Sequence, residues 1–289
     1  MVKLIVFPTN NRKLVTRINP EWRRHCPRLI RTLALPTNAD AILLALPTLP
    51  PKTRRIICKP VGKHLQKQYQ LKKYSLEKWI WTDSDFDDMG WHDCPIYAMK
   101  FDDDVVFDLD YIFKWNNPKV NGMSYTFWIS PATLIFKDVG HLKVDFEMDF
   151  ANGLEVYEIN KTELEKTTEW VIATQEGDIT LHSQSFKQII LREPTLQFGQ
   201  YIPDDERGNQ PFLDIPQKEF KHSKKIVEKR KNEFSLFELA NERATYRIEL
   251  ENLNREEKET KEYIIIKREL TQRIEQITKK LKGSSFERS

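Results

Sequence analysis

The chain predicts an α+β protein: an antiparallel β sandwich or curved barrel in the centre, a long C-terminal α-helix or helical hairpin, and an irregular basic N-terminal segment. Three observations lead there. Apolar residues alternate with acidic ones between residues 76 and 195, apolar residues return at three-four spacing after residue 223, and prolines break every pattern in the first 75 residues.

Charge divides the chain in the same places. Residues 1–75 hold 16 Lys and Arg against two Asp and Glu, residues 76–195 hold 10 against 23, and residues 196–289 hold 20 against 18. Net charges of +14, −13 and +2 describe separate surfaces within a chain whose overall charge is only +3. Four parts follow: a basic Pro-rich segment (1–75), an acidic β-domain (76–195), a linker (196–222) and a helical or coiled-coil tail (223–283).

In the first part, "VKLIVF" (2–7) reads as a strand ended by Pro8. Prolines 20, 27, 36, 47, 50, 51 and 60 then leave room only for short elements, such as a helix in "NADAILLAL" capped by Asn38 or Asp40. Arg and Lys interleave with His25, His64 and Tyr69 across residues 12–73, a composition that neutralises phosphate and releases counterions from nucleic acid. No zinc-finger spacing, Gly-rich phosphate loop or aromatic RNA-binding motif accompanies it. The same charge also complements the acidic domain that follows.

In "DVVFDLDYIFKW", Val105, Phe107, Leu109, Tyr111, Phe113 and Trp115 share one face, and Asp104, Asp108, Asp110 and Lys114 share the other. Such a strand buries one side and leaves a wet acidic one. "HLKVDFEMDF" repeats the design from Leu142 to Phe150. "SYTFWISPATLIFKDV" is apolar at nearly every step and reads as a central strand bent at Ser130 and Pro131. "EWVIATQEGDITLHSQSFKQIILR" makes a hairpin turned near Glu176, Gly177 and Asp178. "PIYAMKF" joins the next strand through Asp102 and Asp103.

The combination of "WTDSDFDDMGWHDCPIYAM", "DLDYIFKW", "FWISPATLIF" and "ATQEGDI" resembles a functionally uncharacterised group of bacterial hypothetical proteins carrying such a Trp-His-Asp segment. The likeness covers about residues 76–195. It implies a bacterial origin and a single β-rich unit, and it brings no catalytic residue with it. The first 75 residues stand outside the likeness, as a fusion or an early translation start would leave them.

"WTDSDFDDMGWHDC" (81–94) is the densest cluster of chemistry-bearing side chains. A calcium loop starting at Asp83 fails at its sixth position, Asp88, and its twelfth, Cys94. The candidate metal or acid-base residues are Asp83, Asp85, His92 and Asp93; His92 with Cys94 and a distant His141 or His182 is the alternative set. Against both stands an anchored loop, in which Trp79, Trp81 and Trp91 bury their rings and Asp carboxylates bond nearby backbone amides. The sequence favours the loop.

In the tail, Leu236, Leu239, Tyr246, Leu250 and Leu253 form one apolar stripe, interrupted by Arg243; Tyr263, Ile266, Leu270, Ile274, Ile277 and Leu281 form another. The polar "NREEKETKE" between them contains no Gly or Pro, which favours one continuous helix over a hairpin.

No apolar run reaches the roughly 18 residues of a membrane span. Three cysteines without a C-x-x-C pair, and no secretory leader, point to the reducing cytoplasm. The reading is a non-enzymatic binding or scaffolding protein without cofactor, associating through residues 223–283. The alternatives are a nucleic-acid-associated protein using residues 12–73 and a metal-dependent hydrolase using the cluster at 83–93.

Overall fold

A computed structural model describes residues 3–6, 73–147, 153–208, 210–255 and 260–288. The expectations for residues 12–72, including the short helix and all but the last residue of the basic nucleic-acid segment (12–73), lie outside the described residues. Everything below concerns the compact unit made by residues 1–10 and 72–289.

Eleven strands form one antiparallel sheet. They are β1 (Lys3–Val6), β2 (Ile80–Thr82), β3 (Cys94–Phe101), β4 (Val105–Asn116), β5 (Thr126–Lys137) and β6 (His141–Phe146). Then come β7 (Leu154–Glu163), β8 (Thr168–Thr174), β9 (Gly177–Ser183), β10 (Ser185–Ile190) and β11 (Thr195–Gln197). The main path runs β2-β10-β5-β4-β3-β7-β8-β9-β6, with β1 added to β3 and β11 to β5.

The sheet turns a corner. Lys137 pairs with Ser185, and a few residues on His141 pairs with His182, so the ribbon of β5 and β10 continues into the ribbon of β6 and β9. Gln184 N–H donates to the Lys137 carbonyl and Gly140 N–H to that of His182, which keeps the ladder bonded through the bend. Asp138 takes φ +51° there, the left-handed conformation Asp tolerates better than most residues. The layers enclose one core, in which Phe107, Leu109, Phe136, Leu154, Trp170, Ile172 and Phe186 pack together. The predicted antiparallel, strongly curved β centre is present.

Pro131 sits in a central strand without loss of a ladder bond. Here β5 changes partner, from β11 at Phe127–Ile129 to β10 at Ala132–Lys137. Pro131 only accepts, from Leu191 N–H, and the Ser130 hydroxyl donates to the Arg192 carbonyl.

Two expectations about the outer face of the sheet are corrected. The outer face of β4 is not wet: Asp108 and Asp110 are fully buried. Nor are residues 196–222 a linker. They strap this face, with Phe212 and Leu213 against Val106, Ile135, Ile189 and Leu191, and the Thr133 hydroxyl donates to the Leu213 carbonyl. The strap carries helix α1 (Asp204–Arg207). Arg207 forks onto Asp108 at 2.8 and 2.9 Å and reaches Asp110 at 2.9 Å. Asp110 also accepts from Tyr97 O–H and Ile202 N–H at 2.8 and 2.7 Å. Burial alone would ease a proton off Arg207, but Asp110 and Asp108 hold it on well beyond the usual guanidinium range.

Further along, Arg192 donates to the carbonyls of Glu206 and Arg207 and lies 4.2 Å over the Phe220 ring. Burial and neighbouring Arg207 bring it down to about 10, still charged at neutral pH. His222, its ring 5.0 Å from that of Phe220, is pushed down to about 4 by burial and by Arg230 and Arg192.

The tail is a hairpin, not a continuous helix. Helix α2 (Lys224–Asn254) starts on the Ser223 side chain, and α3 (Lys261–Leu281) starts on Thr260, whose hydroxyl accepts from Tyr263 N–H. Contacts pair Tyr246 with Arg273, Arg243 with Thr278 and Asn254 with Tyr263, so the helices run antiparallel. Ala240, Ile277, Leu281 and Phe286 close over Met123 of the β4–β5 loop. The stripe that the sequence left for a partner is thus largely covered by the chain itself. Arg243, the polar interruption, is fully buried and donates to the carbonyls of Phe286 and Glu287, tying the C-terminal tail down.

Removing Arg207 strands two buried carboxylates. Arg207→Ala is expected to lose about 3–5 kcal/mol in urea unfolding, the usual cost of breaking rather than replacing a buried pair. His222 binds a proton less readily folded than unfolded, where its pKa is near 6.5. Stability is therefore fully present above about pH 6.5 and lost as pH falls toward about 4, by about 2 kcal/mol after discounting for partial exposure. His222→Gln should remove that decline between pH 6.5 and 5, read as the difference from wild type in denaturant midpoints.

Candidate binding surface

The acidic stretch folds as one 3₁₀ helix, Asp83–Asp88, between β2 and β3. Asp83 Oδ1 accepts from Phe186 N–H at 2.7 Å, tying the stretch to β10. Asp85 Oδ2 accepts from Thr82 N–H at 2.9 Å and Oδ1 pairs with Lys78. The Lys78 hydrogen bond, then that of Thr82, holds the Asp85 carboxyl below the usual range. Both carboxylates therefore do what Asp does in turns, bonding backbone amides.

The flanking indoles are anchors. Trp81 and Trp91 are buried; Trp81 Nε1 donates to the Lys78 carbonyl at 3.1 Å, and Trp91 Nε1 to Gln188 Oε1 at 2.7 Å.

Asp93 adopts φ +60°, which breaks the alternation that would have put His92 and Cys94 on one side. Cys94 is buried in the core with Sγ 3.4 Å from Ile112 N, and burial pushes its thiol far up, so it is neither ligand nor nucleophile there. His92 lies outside, Nδ1 at 3.0 Å from the Tyr157 carbonyl and Nε2 at 3.6 Å from Asp93 Oδ1. Asp93 also accepts from Gln200 of the strap. The fold thus brings His92 and Asp93 together and spends Asp83 and Asp85 elsewhere. Among the described residues no group of three or more His, Cys, Asp or Glu is placed to hold a metal ion. His141 and His182 adjoin each other on β6 and β9.

His92 does belong to another arrangement. Its ring lies 5.5 Å from Tyr157 of β7 and 6.1 Å from Trp115 of β4, nearly parallel to the latter, and Trp115 lies 6.0 Å from Tyr125 just before β5. Since β7, β3, β4 and β5 are successive neighbours, four rings cross the sheet in a row. Three of them leave much of their surface to solvent: Tyr157 56%, Tyr125 45% and Trp115 39%.

At its Tyr125 end the row opens into a pocket of about 140 Å³, walled by Met123, Phe198, Phe237 and Phe286. At about 30 Å³ per water, that is room for several waters or one side chain. Phe198 comes from the strap and Phe237 from α2, so sheet, strap and hairpin all contribute.

Sequence alternation assigned Trp115 to the buried face. A bulge between Ile112 and Lys114 shifts the register before it, so the pattern no longer applies. Neither Tyr125 nor Tyr157 was singled out by alternation; an aromatic ring with a polar tip is the one cue they carry.

Set against protein-family profiles, curated proteins and solved structures, the chain finds no match.

If the two carboxylates hold the loop and His92 does not, Asp83→Ala and Asp85→Ala should each lose about 1 kcal/mol, as a lost helix cap does. His92→Ala should stay within about 0.5 kcal/mol of wild type. Chemical denaturation of the three variants checks the ordering.

Proposed function

We propose that the protein is a non-enzymatic binding protein that takes a protein partner on the aromatic row Tyr157, His92, Trp115 and Tyr125. The observation that carries this reading is the exposure of Tyr157, Trp115 and Tyr125, joined through His92 into one row whose Tyr125 end lines an apolar pocket. A row that only stabilised the sheet would gain by burial. Left in water, it forgoes roughly 25 cal/mol per Å² of apolar area, which a partner can recover.

Tyr and Trp are the residues that dominate protein interfaces: large, stiff and amphipathic. The pocket suits one inserted anchor side chain, and the Asp93–Gln200 pair supplies a polar edge. This replaces residues 223–283 as the leading contact region, because the hairpin spends most of its stripe on its own domain. Ile248, Ile264 and Ile265 stay exposed on it as a smaller secondary surface.

A second reading rests on the 16 basic against two acidic residues of positions 1–75: association with nucleic acid through residues 12–73. A salt-dependent gel shift that vanishes on removing those residues supports it.

The first reading is tested with a photo-crosslinking side chain at Ser124. One partner should be captured by the full-length protein, and Trp115→Ala with Tyr125→Ala should cut capture at least tenfold while the unfolding midpoint barely moves. Capture that survives both substitutions but falls with Ile264→Asp and Ile265→Asp moves the contact to the hairpin and overturns the proposal.

A further inference from the structure

On the far stretch of the sheet, Glu169 of β8, His182 of β9 and His141 of β6 stand directly opposite one another in the register. Trp170 and Leu181, their chain neighbours on β8 and β9, are buried in the core, so this row is on the outer face. The two imidazole rings lie 4.9 Å apart, the spacing of adjacent strands, and tilt 45° to each other. His182 Nε2 lies 3.1 Å from Glu169 Oε2.

We propose that His141 and His182 form a two-imidazole clip for a divalent transition-metal ion, copper(II) foremost, with Glu169 as the carboxylate that positions His182 from behind. With Nε2–H donated to Glu169, the neutral His182 ring carries its lone pair on Nδ1, the atom left to bind a metal. A carboxylate behind a ligating histidine fixes both tautomer and ring direction, and Glu169 stands in that place behind His182.

Strand pairing supplies the rest. Two side chains directly opposite on neighbouring strands are held side by side by backbone bonds, so the cost of bringing two ligands together is met by folding. Imidazole suits copper, nickel and zinc, and for a site without an imposed geometry copper(II) binds tightest. The protein supplies two ligands and solvent completes the sphere. The clip owes nothing to the 83–93 cluster or to the aromatic row.

Chelator-stripped full-length protein is titrated with copper(II), nickel(II), zinc(II) and magnesium by calorimetry. The expected result is one equivalent of copper, weaker nickel and zinc, and no magnesium. His141→Ala and His182→Ala should each abolish the copper event, and Glu169→Gln should weaken it about 10- to 100-fold. All three side chains face outward, so the variants should keep the wild-type far-ultraviolet dichroism. As an independent reading, copper should raise the thermal midpoint of wild type and not that of the double His variant, because the ion ties β6 to β9 only when folded. His25, His64, His92 and His222 remain in every variant, so wild type and double variant titrating alike overturns the clip. Glu169→Gln binding as tightly as wild type removes Glu169 from it.

Discussion

Two aspartates buried on the outer face of β4 are the constraint from which the rest of the described structure follows. Carboxylates cannot stay ionised away from water without a cation and donors close by. Asp108 and Asp110 get both from Arg207, Tyr97 and Ile202 N–H. Arg207 lies nearly a hundred residues downstream, so satisfying the pair fixes the whole strap in register over the sheet. Once the strap is fixed, Phe198 and Gln200 have their places, and Arg230 of α2 reaches back to the Leu196 carbonyl. An apolar pair on β4 would bury as well but would accept many registers; the fork of a guanidinium accepts few.

That same pair marks where sequence reading succeeded and where it stopped. Period-two alternation identified β4, β6 and the hairpin of β8 and β9, because side-chain direction in a strand is set locally. It also named the inner face correctly up to Tyr111. It could not tell that the acidic face was covered, because the covering segment contains three prolines and no periodicity, the marks of a linker. The cation that neutralises the aspartates is separated from them by the remainder of the sheet. Long-range pairing of this kind leaves no trace in a local pattern.

The helical tail and the loop at 81–94 show the opposite case, where a local cue was present and outweighed. Thr260 is an N-cap residue standing before an apolar stripe, the usual mark of a helix start, yet the absence of Gly and Pro argued for continuity. A cap is positive information about one backbone position, whereas the lack of a breaker is only permissive. In the loop, the carboxylates at 83 and 85 matched their expected turn role, but His92 was turned outward by the left-handed conformation of Asp93, which residue type announces only weakly.

Register explains why chemistry-bearing side chains meet where they do. Counting residues along the chain, His141 and His182 are far apart and His92 and Tyr157 are farther still, yet each pair adjoins because antiparallel pairing brings distant segments into direct opposition. The row of rings takes Tyr157 from β7, His92 from just before β3, Trp115 from β4 and Tyr125 from just before β5, while His182 and His141 occupy β9 and β6 beyond the bend. A one-residue slip would turn His182 into the core and Leu181 out, a change the buried aromatics forbid. The burial of one face therefore fixes which side chains stand on the other, and the outer surface of this sheet is a consequence of how its core is packed.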